Sequence, residues 1–212
     1  ARARACANGS SEFMSNISMN LVGMLYNIQL IKYAGEDGVA AYGVLMYVSM
    51  IFSAAFIGYS IGTAPVFGYH DGAKNHGELK GLLRKSLLMI GCFGVTMVIS
   101  GELLAEPLAS LFVGYDEGLM TLTISGFRIF ALSFLFMGFA IFGSGFFTAL
   151  NDGLTSALIS FLRTLVFQVA AVLLFPLHWG INGIWWSIVV AEVMAVVFSA
   201  LFLVLKRKKY GY

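Results

Sequence analysis

The sequence predicts an all-α integral membrane protein, a bundle of six transmembrane helices. Three observations carry that reading. Charged residues make up only 11% of the 212-residue chain and hydrophobic ones 59%, against about 25% and 45–50% in soluble domains. The apolar residues fall into separable runs, with a mean hydropathy of +0.85; at about 20 residues per crossing the length accommodates roughly six spans. Those runs are continuous, which excludes the alternating pattern of a lipid-facing β-barrel. Scarce charge also excludes a free soluble enzyme and a disordered scaffold. A formal net charge of +2 excludes a basic nucleic-acid binder.

Taken in order, residues 1–13 (ARARACANGSSEF) carry arginines but no apolar run. They lack the core of a signal peptide and read as a cloning-derived extension, with Met14 opening the membrane region of residues 14–212. The spans are expected at 14–33, 39–69, 86–104, 119–150, 155–177 and 181–205. The second and fourth exceed one bilayer crossing, so they are expected to tilt, kink or project. Pro65 predicts a bend in the second.

Charge sets the expected direction. Lys74, Lys80, Arg84 and Lys85 flank the second connection, and Lys206, Arg207, Lys208 and Lys209 follow the last span. With six spans these regions share a side with the N-terminus, which the positive-inside rule makes cytoplasmic. Glu36, Asp37, Glu102, Glu106, Asp116 and Glu117 are read into the opposite connections, with Lys32 as their basic neighbour. A multi-pass protein of the cell inner (plasma) membrane is expected, with both termini cytoplasmic.

Arg128, Arg163 and Glu192 remain inside apolar runs. At 100° per residue, Asn16, Asn20 and Asn27 fall within about 40° of one another on the first span. Thr121, Ser125 and Arg128 share a face of the fourth. Ser156, Ser160 and Arg163 share one of the fifth, with Gln168 further round, and Trp185, Glu192 and Ser199 recur at heptad spacing on the sixth. Lipid cannot satisfy such groups, so the stripes are expected to face one another, a partner or a water-filled cavity. Two readings stand at this point. Asn16, Asn20, Asn27, Arg128, Arg163, Gln168 and Glu192 line a solute or ion pathway; or one arginine pairs with Glu192 as interhelical glue, with the asparagines bonding across helices. Two arginines for a single carboxylate argue against a cation site in that cluster alone.

Other signals are weaker. The Gly58-Tyr-Ser-Ile-Gly62 run has the small-residue spacing of close helix packing. Cys6 falls in the extension and Cys92 in an apolar run, which is no disulfide framework. His70, Asp71 and His76 lack a metal-ligand spacing, and no nucleophile–base pair or phosphate loop is present to support a membrane enzyme.

GTAPVFGYHDGAKNHGELKGLLRKSL, residues 62–87, resembles the helix-end and loop signature of the MATE (multidrug and toxin extrusion) family. LYNIQLIKYAGEDGVAAYGV (25–44), GFRIFALSFLFMGFAIFGSGFFTALNDG (126–153), SALISFLRTLVFQ (156–168) and GIWWSIVVAE (183–192) are similar to the same family, in the same order. The likeness covers essentially all of 14–212. It implies one lobe, the C-terminal six helices, of a twelve-helix transporter that exports cationic or amphipathic drug-like molecules by Na⁺ or H⁺ antiport. Its partners would be the lipid bilayer, a small-molecule substrate, and an N-terminal lobe or a second copy of the chain. No cofactor is implied beyond the coupling ion. One branch of the family holds Na⁺ with carboxylates on its seventh and tenth helices; the matching positions here are Asn20 and Met137. Ion coupling is therefore expected mostly in the other lobe. The alternatives are a self-associating half-transporter, a relative exporting lipid-linked or polysaccharide substrates, and a non-transporting membrane interaction module.

Overall fold

A chain this apolar must satisfy its backbone polar groups locally, which in lipid means helices. A computed structural model describes residues 17–212; the extension at 1–13 and Asn16 lie outside the described residues. Four helices are long and apolar enough to cross a membrane: Ile17–Gly72, His76–Val113, Gly153–Leu174 and Pro176–Tyr210. A bent pair, Glu117–Ala131 with Ser133–Ala149, makes a fifth span.

The first of these is two spans. Gly35 breaks it at φ 65° and ψ −151°, a left-handed backbone that costs glycine little because it has no Cβ. Tyr26 and Tyr42, on either side of the break, stack with ring centroids 5.3 Å apart; a continuous helix would hold them about 24 Å apart. Six helices result: α1 (17–34), α2 (36–72), α3 (His76–Val113), α4 (the bent pair), α5 (Gly153–Leu174) and α6 (181–210). A second left-handed glycine, Gly180 at φ 55°, precedes α6. Asn75, Asp116 and Asp152 cap α3, α4 and α5, their side chains accepting from the backbone N–H groups of Glu78, Leu119 and Thr155. Each cap satisfies an otherwise orphaned donor.

The two long spans resolve differently. α4 bends by 46° between its halves, at Leu132, which accommodates its excess length. α2 passes through Pro65 without leaving helical backbone angles, and Gly35, the non-helical residue before it, separates α1 from α2. α3 runs well past 86–104 at both ends. Glu102 and Glu106 consequently lie inside a helix rather than in a connection, because the helix continues through Pro107 to the Gly114 C-cap.

Packing follows small residues. A Cβ on Gly126 would meet the Trp185 ring at 2.8 Å, and one on Gly138 the Phe56 ring at 2.5 Å. By contrast, Gly58 and Gly62 have nothing within 4 Å and are exposed, so these two glycines pack against no helix of this bundle, and the buried residue of the run is Ser60, beside Gly145. Two apolar clusters fill the interior. One gathers Tyr26, Leu45, Phe127, Phe134 and Trp185; the other gathers Phe56, Phe67, Phe142, Phe146 and Tyr212. Large apolar side chains such as Met50, Leu103 and Leu111 point outward, as a lipid-facing surface requires.

Candidate functional site

The polar side chains of α5 and α6 meet between these helices. α5 loosens into a π-helical turn over Leu162–Phe167, a rare local geometry that concentrates at functional sites. Arg163 sits in that turn. Its Nε donates to Glu192 Oε1 and Oε2 at 3.1 and 2.9 Å, and its Nη2 donates to Oε1 at 2.8 Å. The planar guanidinium fork matches the carboxylate. The Glu192 side chain is only 4% exposed and that of Arg163 19%. By the helical rise both lie about 15–17 Å along their helices, near the middle of a ~30 Å hydrocarbon core. A lone charge at that depth is costly, whereas a hydrogen-bonded pair is tolerated.

Two hydroxyl networks extend the layer. The Tyr26 Oη of α1 donates to Gln168 Oε1 of α5 at 2.7 Å and lies 2.9 Å from Ser187 Oγ of α6. Ser144 of α4 meets Ser156 and Ser160 of α5 at 2.9 and 2.8 Å, and Thr148 meets Ser156 at 2.7 Å. The inward stripes on α5 and α6 are therefore as the sequence placed them. Ser156, Trp185, Glu192 and Ser199 are all buried.

The other stripes turn outward. Arg128 is corrected most sharply: its side chain is 52% exposed and pairs with Glu106 at 2.8 Å, with Glu102 at 3.9 Å. Those acids, one helical turn apart on α3, present a carboxylate face to α4. Arg128 is thus satisfied locally and leaves Glu192 to Arg163. The apparent surplus of buried positive charge disappears. Thr121 and Ser125 are exposed beside it. On α1, Asn20 is exposed and Asn27 half-buried. The residues that do join from outside the sequence candidates are Tyr26, Ser144, Thr148 and Ser187. Tyr26 adjoins Asn27, but its large apolar ring makes it read as core.

At one end of the bundle a further polar knot ties three elements. His76 Nδ1 lies 2.9 Å from the Tyr210 carbonyl. Asp152 accepts from Tyr210 Oη at 2.7 Å and stands 3.6 and 3.4 Å from Lys206 and Lys209. Burial pushes the Asp152 carboxyl up, but hydrogen bonds from Tyr210 and Thr155 and the Lys209 charge outweigh it and hold it at about 2. At the opposite end, Phe175, Trp179, Asn182, Trp186 and Val190 line an aromatic groove of about 670 Å³.

Comparison with known proteins places this arrangement. The multidrug export protein MepA of Staphylococcus aureus (strain bovine RF122 / ET3-1) is 21% identical over 201 residues, 95% of this chain and 44% of that protein. The chain thus spans less than half the length of the curated relatives it matches. The outward-facing structure of a multidrug resistance MATE family transporter of the MOP superfamily aligns with TM-score 0.89 at 23% identity, over 96% of this chain and 46% of that one. The inward-facing structure of such a transporter aligns with TM-score 0.88 at 24% identity, over 96% and 47%. These likenesses establish the fold, that of one lobe. The MatE family model matches residues 13–174, and with the helices, their order and the motifs in agreement, the chain belongs to the MatE family.

Proposed function

We propose that this chain acts as the C-terminal half of a cation-coupled multidrug and toxin efflux antiporter, exporting cationic or amphipathic small molecules by alternating access. The observation that carries this reading is that nearly the whole chain corresponds to one lobe of longer multidrug transporters. Rocking of two lobes about a shared site is how such transporters expose it alternately, so the partner is an N-terminal lobe. In this reading Asn20 and Asn27 border the inter-lobe cleft. The Arg163–Glu192 pair holds α5 against α6 as the lobe moves, and Gln168 ties α5 to Tyr26 of α1. The aromatic groove offers ring faces suited to organic cations.

The coupling ion, Na⁺ or H⁺, is assigned to the other lobe. Glu192 is the buried carboxylate among the described residues, and Arg163 already neutralises it. Asn20 is uncharged and Met137 lies in the apolar core. The basic residues of α3 and α6 gather at one end and Glu36, Asp37, Asp116 and Glu117 at the other. That asymmetry favours a plasma-membrane protein with cytoplasmic termini.

The test is ethidium efflux from cells expressing this chain alone, a matching N-terminal lobe alone, or both fused. Export by the fusion only is expected, and it should be lost when an acid of the N-terminal lobe is neutralised. Export by the single chain refutes the half-transporter reading, and a well-folded fusion that exports nothing refutes transport. Loss on Glu192→Gln, with the N-terminal acids dispensable, overturns the assignment of coupling.

A further inference from the structure

At the end of the bundle where α3 begins and α6 ends, a groove of about 440 Å³ opens between the two helices. Its depth is apolar, with Leu87 from α3 and Leu203 and Val204 from α6. Its mouth carries Lys80 and Arg84 from α3 and Arg207 from α6. On α3 the sequence positions 80, 84 and 87 share one helical face, and on α6 so do 203, 204 and 207. On both helices the cations lie toward the helix end and the apolar residues toward the membrane middle. The groove also opens sideways to the bilayer, since Val204 is 71% exposed.

None of these cations is used in an ion pair between side chains of the described residues; the five ion pairs involve Arg128, Arg163, Lys206 and Lys209 instead. Arg207 gives its Nε to the Tyr212 main-chain oxygen at 3.0 Å. All three are exposed.

We propose that this groove binds an anionic phospholipid, its phosphate held by Lys80, Arg84 and Arg207 and one acyl chain lying along Leu87, Leu203 and Val204. Charge complementarity chooses the headgroup, because three cations at one depth, two of them with no carboxylate partner among the described residues, select an anionic over a zwitterionic lipid. The apolar depth chooses a lipid over a free phosphate, which would leave those side chains uncovered. Since the lipid bridges α3 and α6, it clamps two helices that, among the described residues, meet at this end through the His76–Tyr210 contact and apolar packing. The inference needs the chain to be in a bilayer, and does not rest on what the chain transports.

The full chain in neutral detergent, titrated with dioleoylphosphatidylglycerol and separately with dioleoylphosphatidylcholine, tests this by native mass spectrometry. Preferential retention of phosphatidylglycerol is expected. Each cation near the surface contributes about fivefold, so Lys80→Gln/Arg84→Gln/Arg207→Gln should weaken phosphatidylglycerol binding by on the order of a hundredfold. Removing the same charge outside the groove, in Lys74→Gln/Lys85→Gln/Lys208→Gln, should change it by less than about fivefold. If losing Arg207 unfolds the end of α6, Lys80→Gln/Arg84→Gln, on two exposed side chains, should still lose about 25-fold. Equal binding of the two lipids by the native chain overturns the proposal. So do a groove variant that binds like the native chain, an off-groove variant that loses as much, and displacement of the lipid by soluble glycerol phosphate.

Discussion

Replacing Arg163 by methionine keeps the length and apolar stem of the side chain and removes its charge. Glu192, 4% exposed, then loses three hydrogen bonds at once. Two magnitudes compete. If the pair is worth only its interhelical hydrogen bonding, membrane proteins lose about 0.6 kcal/mol on average and roughly 1.7 at most. If an uncompensated buried charge is left behind, the cost is about 3–5 kcal/mol. Depth and burial favour the second. At about 2–4 °C per kcal/mol for chains of this size, Arg163→Met should lower Tm by roughly 6–20 °C. Arg163→Met/Glu192→Leu, which removes both charges, should recover most of that loss because an apolar pair of similar volume is close to neutral. Arg128→Gln is the control: its partner Glu106 is exposed, so a shift under about 4 °C is expected. Heating the detergent-solubilised chain and following the surviving monodisperse peak by size-exclusion chromatography reads all three. The reasoning fails if Arg163→Met is no more harmful than Arg128→Gln, or if the double variant is as unstable as the single one.

Tyr26→Phe should cost about 1–3 kcal/mol, since it strips a partner from Gln168 and Ser187 in the interior; an unchanged melting curve would mean that water replaces the hydroxyl. Gly126→Ala drives a methyl into the Trp185 ring and should cost about 1–3 kcal/mol. Gly62→Ala in α2 meets nothing and should be neutral or stabilise by up to about 1 kcal/mol, so thermal shifts of similar size would contradict the packing. Asp152 is held at about 2, below its ordinary 3.8. The stability it supplies is therefore complete above about pH 4 and is lost as pH falls from there towards 2. Asp152→Asn retains an N-cap but not the charge, so the Tm gap to the native chain should be open at pH 6 and close over that window. A gap that widens on acidification would show the sign to be wrong.

Much of the bundle was legible because each helix reports its own periodicity. The inward faces of α5 and α6 were readable from Ser156, Ser160, Arg163 and from Trp185, Glu192, Ser199, as were the six spans themselves. The partners were not. Arg128 and Arg163 look alike in sequence, each a lone arginine in an apolar run, yet Arg128 finds Glu106 and Arg163 finds Glu192. Glycine was equally ambiguous, because Gly58 and Gly62 fit a packing pattern while Gly126 and Gly138 actually meet aromatic rings. Pro65 predicts a bend within α2, yet the backbone there keeps helical angles, while the break between α1 and α2 is made by Gly35 at φ 65°.

The sequence alone therefore determined the solvent this protein lives in, the number of crossings, the polar face of α5 and α6, and the family likeness. These depend on composition and on the 100° step within one helix, which need no knowledge of neighbours. Tertiary structure decided which arginine neutralises Glu192, that Tyr26 joins α1 to α5 and α6, and that Lys80, Arg84 and Arg207 converge on one groove. Those pairings depend on the relative rotation, tilt and depth of helices far apart in the chain, and small residues such as Gly126 set that geometry by how closely they let two helices approach.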